Sequence, residues 1–338
     1  MSFSKTILDK CKIQQRALGL PESLDPRVLS ACVQLAKNQT PSAIHLFAPE
    51  SAVAKQCRDA GIDFTKFAKI ARFVPDEFSD LKDKLYAFIS QYFKAKNKQV
   101  SDADMSILIC NPLYQAGMLL SSGEIDSVVA GCSLPTSDVI RAGITTVGLD
   151  DNTKTISGSF ILTKELPKNA GEQIFIFADC AVVVEPTAAQ LADIATSTVK
   201  TWSRYNDTSP AVAFLSFSTK GSASHPKLDI VREAHALFSA KHPEIICEGE
   251  IQFDAAYISE IGSRKAPGST LPGKANCFIF PDLNSGNIAY KITERLGGFE
   301  AYGPLLQGLR KPYFDLSRGA KPEDIVMAAH LALVAAAK

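Results

Sequence analysis

The sequence predicts an α/β protein: two α/β domains with a ligand cleft between them. Three observations carry that expectation. The chain has 338 residues, 46% of them hydrophobic, which is enough for two cores. Short β-rich runs alternate with longer segments of helical period, the grammar of βαβ units and a largely parallel sheet. Near residue 150 that alternation breaks, and a second domain is expected to begin there.

In the first part, SAIHLFAP, with Glu50 completing the turn, reads as a strand followed by the helical SAVAKQCRDAG. One helix, DADMSILICNPLYQAGMLLSSG, then leads into the strand DSVVAG (126–131). After Gly148, TISGSFILTKE and QIFIFADCAVVVEP follow one another without a helix, which predicts antiparallel pairing. Alternation resumes with TAAQLADIATSTVKTWSRY, helical from a Thr187 N-cap, then the strand AVAFLSFS, the helix HPKLDIVREAHALFSAKH and the strand NCFIFPDL. With no fixed-period repeat and no low-complexity linker, the connections are short, and the cleft between two α/β halves is the natural ligand site.

Charge and composition exclude several classes. With 36 basic and 36 acidic residues the formal net charge is zero, so no broad phosphate-backbone surface, and hence no nucleic-acid partner, is expected. The eight cysteines include no C-x-x-C pair and the five histidines no H-x-x-x-H spacing, which predicts no structural metal and suits a reducing compartment. No signal-peptide core and no long apolar run is seen, so a cytoplasmic protein without a membrane partner is expected.

Four glycine-containing loops attract attention. STKGS follows the strand AVAFLSF, and there Ser218, Lys220 and the amide of Gly221 can hold a phosphate; an ordinary strand-to-helix turn has the same spacing. KAPGSTLPGKAN, from Lys265, has two Pro-Gly turns between basic residues and reads as an exposed connection. PDLNSGNIAYK ends a strand in Asp, Asn284 and Gly, at the carboxyl end where open α/β sheets bind ligands. In the fourth, KPYFDLSRGAKPEDIV, Pro322 suits a first helical position and Glu323 and Asp324 suit a first turn. Ser317-Arg318-Gly319 just ahead adds a hydroxyl, a guanidinium and a flexible backbone where helix amides point outward, an oxyanion or phosphate site. Neither a Walker A loop nor an early G-x-G-x-x-G is present.

FADCAVVVEPTAAQLADIA, LSFSTKGSASHP, KAPGSTLPGKANCFIFPDLNSGNIAYK and AYGPLLQGLRKPYFDLSRGAKPEDIV together resemble the successive signature segments of the phosphate acetyltransferases, or phosphotransacetylases. The likeness is dense from about residue 123 onward and thin before it. It implies reversible acetyl transfer between coenzyme A and inorganic phosphate, a homodimer, an isocitrate/isopropylmalate dehydrogenase-like architecture and no bound cofactor, coenzyme A being a substrate. It also implies that the last helix returns to the first domain, giving domains of 1–150 plus 305–338 and 151–304.

By resemblance, Arg318 binds the phosphate or acetyl phosphate, Ser317 hydrogen-bonds near the thioester sulfur or the reacting carbonyl, and Asp324 is the base for the thiol. Arg141 matches an arginine used for substrate or coenzyme A, and Lys265 a lysine near coenzyme A. The chain departs from the pattern at Leu134, where the family carries histidine, at KAKNKQ (94–99), where an Arg-Lys-x-Lys-Gly run is common, and at Ala320, where cysteine is common. These departures bear on the coenzyme A contacts.

Proton transfer from a thiol near 8.5 to a carboxylate near 4 is uphill by about 6 kcal/mol. Burial raises a carboxylate pKa and so narrows the gap, whereas a helix N-terminus lowers it and widens the gap. Asp324 therefore reads either as base or as an orienting group for Arg318 and Ser317. A cysteine nucleophile, Cys132, Cys180 or Cys277, is a lesser alternative to direct attack in a ternary complex. A butyryl-preferring relative and a metal-dependent dehydrogenase of similar fold are the competing functions; the latter needs an acidic metal cluster that the sequence does not offer.

Overall fold

The computed structural model describes residues 2–74, 79–151, 153–167 and 170–336. Among the described residues there are eleven strands: β1 (Arg16–Leu20), β2 (Pro41–Leu46), β3 (Ala71–Phe73), β4 (Ser127–Ala130), β5 (Ser157–Glu165), β6 (Glu172–Ala178), β7 (Ala211–Leu215), β8 (Ile246–Ile251), β9 (Cys277–Ile279), β10 (Glu300–Gln307) and β11 (Tyr313–Asp315). The chain divides into two compact units, Ser4–Gly148 with Leu309–Lys338, and Met1–Phe3 with Leu149–Gly308.

The first unit carries a five-stranded sheet in the order β11-β4-β1-β2-β3, with every pairing parallel. β4 is buried along its whole length, as a strand covered on both faces must be. β1, near the middle of the sheet, was not foreseen, because RALGL is short and glycine-containing and follows a helix with one residue between. Helix Pro26–Asn38 starts where Asp25 accepts the Arg27 N–H at 2.9 Å and proline occupies the first turn. Helix Pro322–Ala335 packs on it and on β4, burying an almost continuous run from Ala329 to Ala335.

The single helix expected from DADMSILICNPLYQAGMLLSSG is instead two, Asp102–Cys110 and Pro112–Ser122. Proline lacks the N–H and drives the preceding residue out of helical geometry. Asn111 thus closes the first helix and caps the second, accepting the Leu113 N–H at 2.9 Å.

The second unit holds a six-stranded sheet in the order β10-β5-β6-β9-β7-β8. β5 and β6 pair antiparallel, as the missing helix between them predicts. β10 also runs antiparallel to β5, which keeps the chain in this unit until Gly308. The remaining pairs are parallel. Helix Ala188–Tyr205 begins at Thr187 in a capping box: the Gln190 N–H donates to the Thr187 hydroxyl, and the Thr187 N–H donates to Gln190 Oε1. The core gathers Leu162, Phe177, Ala213, Ile251 and Phe278, and each large apolar side chain so buried contributes about 1.5–3 kcal/mol.

Candidate active site

In the first unit, β1, β4 and β11 are adjacent and parallel, so the segments that follow them emerge at the same sheet edge, the carboxyl edge where α/β sheets bind ligands. They are Pro21–Asp25 after β1, Gly131–Leu134 after β4 and Leu316–Ala320 after β11.

The three segments lock together through polar contacts. Glu22 collects the loop after β4: its Oε2 accepts the Gly131 N–H (2.7 Å) and Cys132 N–H (3.0 Å), and its Oε1 accepts the Ser133 N–H (2.7 Å), the Leu134 N–H (3.0 Å) and the Ser133 hydroxyl (2.9 Å). The Cys132 thiol donates to Glu22 Oε2 at 3.2 Å and to Asp25 at 3.6 Å. Gly131 sits at φ +101°, and a Cβ there would meet Asp315 Oδ1 at 2.1 Å, so only glycine lets the two segments approach this closely.

Asp315, 2% exposed, accepts the Thr136 hydroxyl at 2.6 Å. Burial pushes this carboxyl up to about 6. Thr136 opens helix Thr136–Thr146, which carries Arg141. Asp315 thus ties the Ser317-Arg318 turn to the start of the Arg141 helix.

Ser317, Arg318 and Gly319 are exposed, and the Gly319 N–H donates to the Ser317 hydroxyl at 3.3 Å. Among the described residues the Arg318 guanidinium has no hydrogen-bond or ion-pair partner. The next helix starts at Pro322, as expected. Asp324 lies in its first turn and accepts the Lys321 N–H at 2.8 Å, so its carboxylate is in use as a helix cap. Arg141 is well exposed, with Asp138 at 3.7 Å. Ser317, Arg318, Asp324 and Arg141 are therefore exposed groups of one unit.

The other expected residues belong to the second unit, and the STKGS loop differs from the sequence reading. The fully buried Ser218 donates its hydroxyl to Glu250 Oε1 at 2.8 Å, and the Gly221 N–H donates to the same oxygen at 2.9 Å. Arg232 binds both oxygens of Glu250, at 2.7 and 2.9 Å. Burial works against charge on Glu250, but Arg232, the Gly221 amide and Ser218 outweigh it and hold the carboxyl down to about 2. Lys220 pairs with Glu248 at 2.7 Å. The donors expected to hold a substrate phosphate are spent on the protein's own carboxylates. Lys265 donates to Gln252 Oε1 and Asp254 Oδ2. Asn284 is exposed in the first turn of helix Leu283–Arg295, beside its cap Asp282.

A cysteine nucleophile is disfavoured. Cys132, Cys180 and Cys277 are all fully buried, and burial raises each thiol above its ordinary range, with the charge of Glu22 and Asp25 adding to it at Cys132. Sequence reasoning missed Glu22, Asp25, Arg27 and Asp315. Asp25 and Arg27 carried a local signal as cap and first-turn residue, but nothing local marks Glu22.

Comparison with known proteins identifies the family. Residues 2–333 match the family described as phosphate acetyl/butaryl transferase. A phosphate acetyltransferase from Treponema pallidum is 38% identical over 338 residues, covering 99% of this chain and 98% of its own. A phosphotransacetylase structure from Streptococcus pyogenes superposes with a TM-score of 0.88 at 34% identity, covering 99% of each chain. At 12% identity and a TM-score of 0.54, over 95% of this chain and 99% of its own, a Salmonella typhimurium protein assigned as a 4-hydroxythreonine-4-phosphate dehydrogenase is similar in fold alone. The dehydrogenase-like architecture is thus a likeness of fold, and among the described residues no three His, Cys, Asp or Glu side chains gather as a metal site would need. Matched across almost its whole length, the chain belongs to the phosphate acetyl/butaryl transferase family.

Proposed function

We propose that this chain catalyses reversible transfer of an acetyl group between coenzyme A and inorganic phosphate, with the phosphoryl group of acetyl phosphate held at the Ser317–Gly319 turn. The observation that carries the reading is the unpaired, exposed Arg318 guanidinium beside a helix N-terminus, at the carboxyl edge of a parallel sheet. Helix amides and a guanidinium fork together favour a phosphate oxyanion.

In the direction of acetyl-CoA synthesis, the coenzyme A sulfur attacks the acetyl carbon of acetyl phosphate. The carbonyl oxygen becomes an oxyanion, the bond from the acetyl carbon to the bridging oxygen breaks, and phosphate departs with that electron pair. The thiol proton passes to a base or to the leaving phosphate. Arg318 stabilises the negative charge and Ser317 donates toward the reacting carbonyl, the kind of preorganised stabilisation that dominates acyl transfer. Asp324 uses Oδ2 on the Lys321 N–H, which orients the turn, and its carboxylate keeps lone pairs with which to take the thiol proton. Arg141 faces coenzyme A phosphates, and Lys265 and Asn284 are secondary candidates for coenzyme A. A homodimer in a reducing, cytoplasmic setting completes the reading; the eight cysteines are all free thiols.

Thioester absorbance tests it, with purified protein and coenzyme A mixed with acetyl phosphate, with butyryl phosphate, or with neither. Rapid thioester formation that requires acetyl phosphate supports the reading. Faster turnover with butyryl phosphate moves the acyl preference, and no turnover with either donor in folded protein removes the function.

A further inference from the structure

Arg27, in the first turn of helix Pro26–Asn38, reaches all three segments at the carboxyl edge. A guanidinium has five N–H donors in a rigid fork. Here Nε donates to Asp25 Oδ1 (3.0 Å), Nη2 to Asp25 Oδ2 (2.7 Å) and to the Cys132 carbonyl (2.7 Å), and Nη1 to the carbonyls of Arg318 (2.8 Å) and Ala320 (3.2 Å). Each of the five hydrogens has an acceptor. The charge is matched by Asp25 at the same 2.7 Å contact. Arg27 therefore has no donor left for a substrate oxyanion, unlike Arg318.

The Ser317–Ala320 turn otherwise has thin support. Its other bonds are local, from the Gly319 N–H to the Ser317 hydroxyl and from the Ala320 N–H to the Ser317 carbonyl at 2.9 Å, and a Cβ on Gly319 would meet only that hydroxyl, at 3.8 Å. Ser317, Arg318 and Gly319 are exposed while Ala320 is buried, and short exposed stretches with few buried contacts open readily. The Arg27 bonds to the Arg318 and Ala320 carbonyls span sequence separations of 291 and 293 residues and join the turn to the Cys132 loop.

We propose that Arg27 is a positioning residue: it binds no substrate, and holds the backbone of the Ser317–Ala320 turn so that Arg318 presents one fixed geometry to the phosphoryl group. The catalytic consequence rests on the proposed function, whereas the structural link from Arg27 to the turn does not.

Two readouts separate these levels. Arg27→Lys keeps the charge but replaces a planar fork by a point donor that cannot span four acceptor groups. Amide hydrogen exchange of Arg27→Lys, compared with wild type, reads the link without activity: exchange in residues 317–320 is expected to rise roughly tenfold while the β4 amides stay protected. Unchanged exchange in the turn would overturn the proposal, and general loss of protection would assign Arg27 to folding instead. The second readout is kcat/KM for acetyl phosphate at saturating coenzyme A. A misplaced Arg318 is expected to lower it by about 10- to 100-fold, with KM for coenzyme A nearly unchanged. In an Arg318→Ala background the same substitution should cost less than about 3-fold, because a residue acting through another is non-additive with it. Equal losses in both backgrounds would contradict action through Arg318. If wild type shows no turnover with either acyl phosphate, the proposed function fails while the exchange result still decides the link.

Discussion

Two turns of this molecule look alike in sequence and differ in what they leave open. Ser218-Thr219-Lys220-Gly221 follows β7 and Ser317-Arg318-Gly319 follows β11, each a serine, a cation and a glycine beyond a parallel strand. In the first, the cation, hydroxyl and glycine amide are all consumed by Glu248 and Glu250. In the second, the backbone is held by Arg27 while the Arg318 side chain keeps its charge exposed. An anion loop is open to substrate only when no internal carboxylate has filled it. The same filling recurs elsewhere: Glu22 takes four successive amides, and Asp179 takes the N–H groups of Gly158, Ala181, Val182 and Val183.

The sharpest way to break this contrast is Arg318→Ala. It should lower kcat/KM for acetyl phosphate by about 10³-fold, or ~4 kcal/mol, with a melting temperature close to wild type because the side chain is exposed; steady-state kinetics beside a thermal melt check both halves. Glu250→Ala should do the reverse, destabilising the fold by about 1–3 kcal/mol because the Ser218 hydroxyl and the Gly221 N–H lose their acceptor, measured by denaturant unfolding. Glu250 also carries a pH signature. Its carboxyl is held at about 2 in the fold against an ordinary value of 4.5, so its stabilisation is complete above pH 4.5 and is lost as pH falls toward 2. Acid unfolding of Glu250→Gln should be correspondingly flatter over that window.

Asp315 has the opposite sign. Burial raises it from an ordinary 3.8 to about 6, so the fold prefers the protonated acid, and stability declines as pH rises from 3.8 through 6. Asp315→Asn should remove that decline and gain of order 1–2 kcal/mol above pH 6, read from melts across pH; a variant as pH-sensitive as wild type would refute the assignment. The smallest effect is expected at Lys220→Ala, where the lysine is half-exposed and the buried Glu248 keeps the Gly249 N–H as a partner, so the cost should be about 1 kcal/mol. KM for coenzyme A should then stay within about twofold, since the Lys220 ammonium is engaged by Glu248. A tenfold rise would reopen the STKGS loop as a substrate site.

What the sequence made legible follows range of interaction. The Thr187 cap, the Pro322 helix start and the β5–β6 antiparallel pair were readable because their determinants lie within a few residues. The Asn111-Pro112 break was readable in principle and masked by the apolar period running through it. The Ser317-Arg318 turn was visible from its chemistry, but nothing local marks Glu22, which caps a loop 109 to 112 residues away. The occupant of the Ser218–Gly221 turn has the same origin: the turn reads as an anion loop, and the anion it holds is Glu250, 29 to 32 residues downstream.

The most direct test of the contrast between the two turns is amide hydrogen exchange of the wild-type protein with and without inorganic phosphate. Phosphate should slow exchange in residues 317–321 and leave residues 218–222 unchanged. Protection of 218–222 with no change in 317–321 would contradict that contrast.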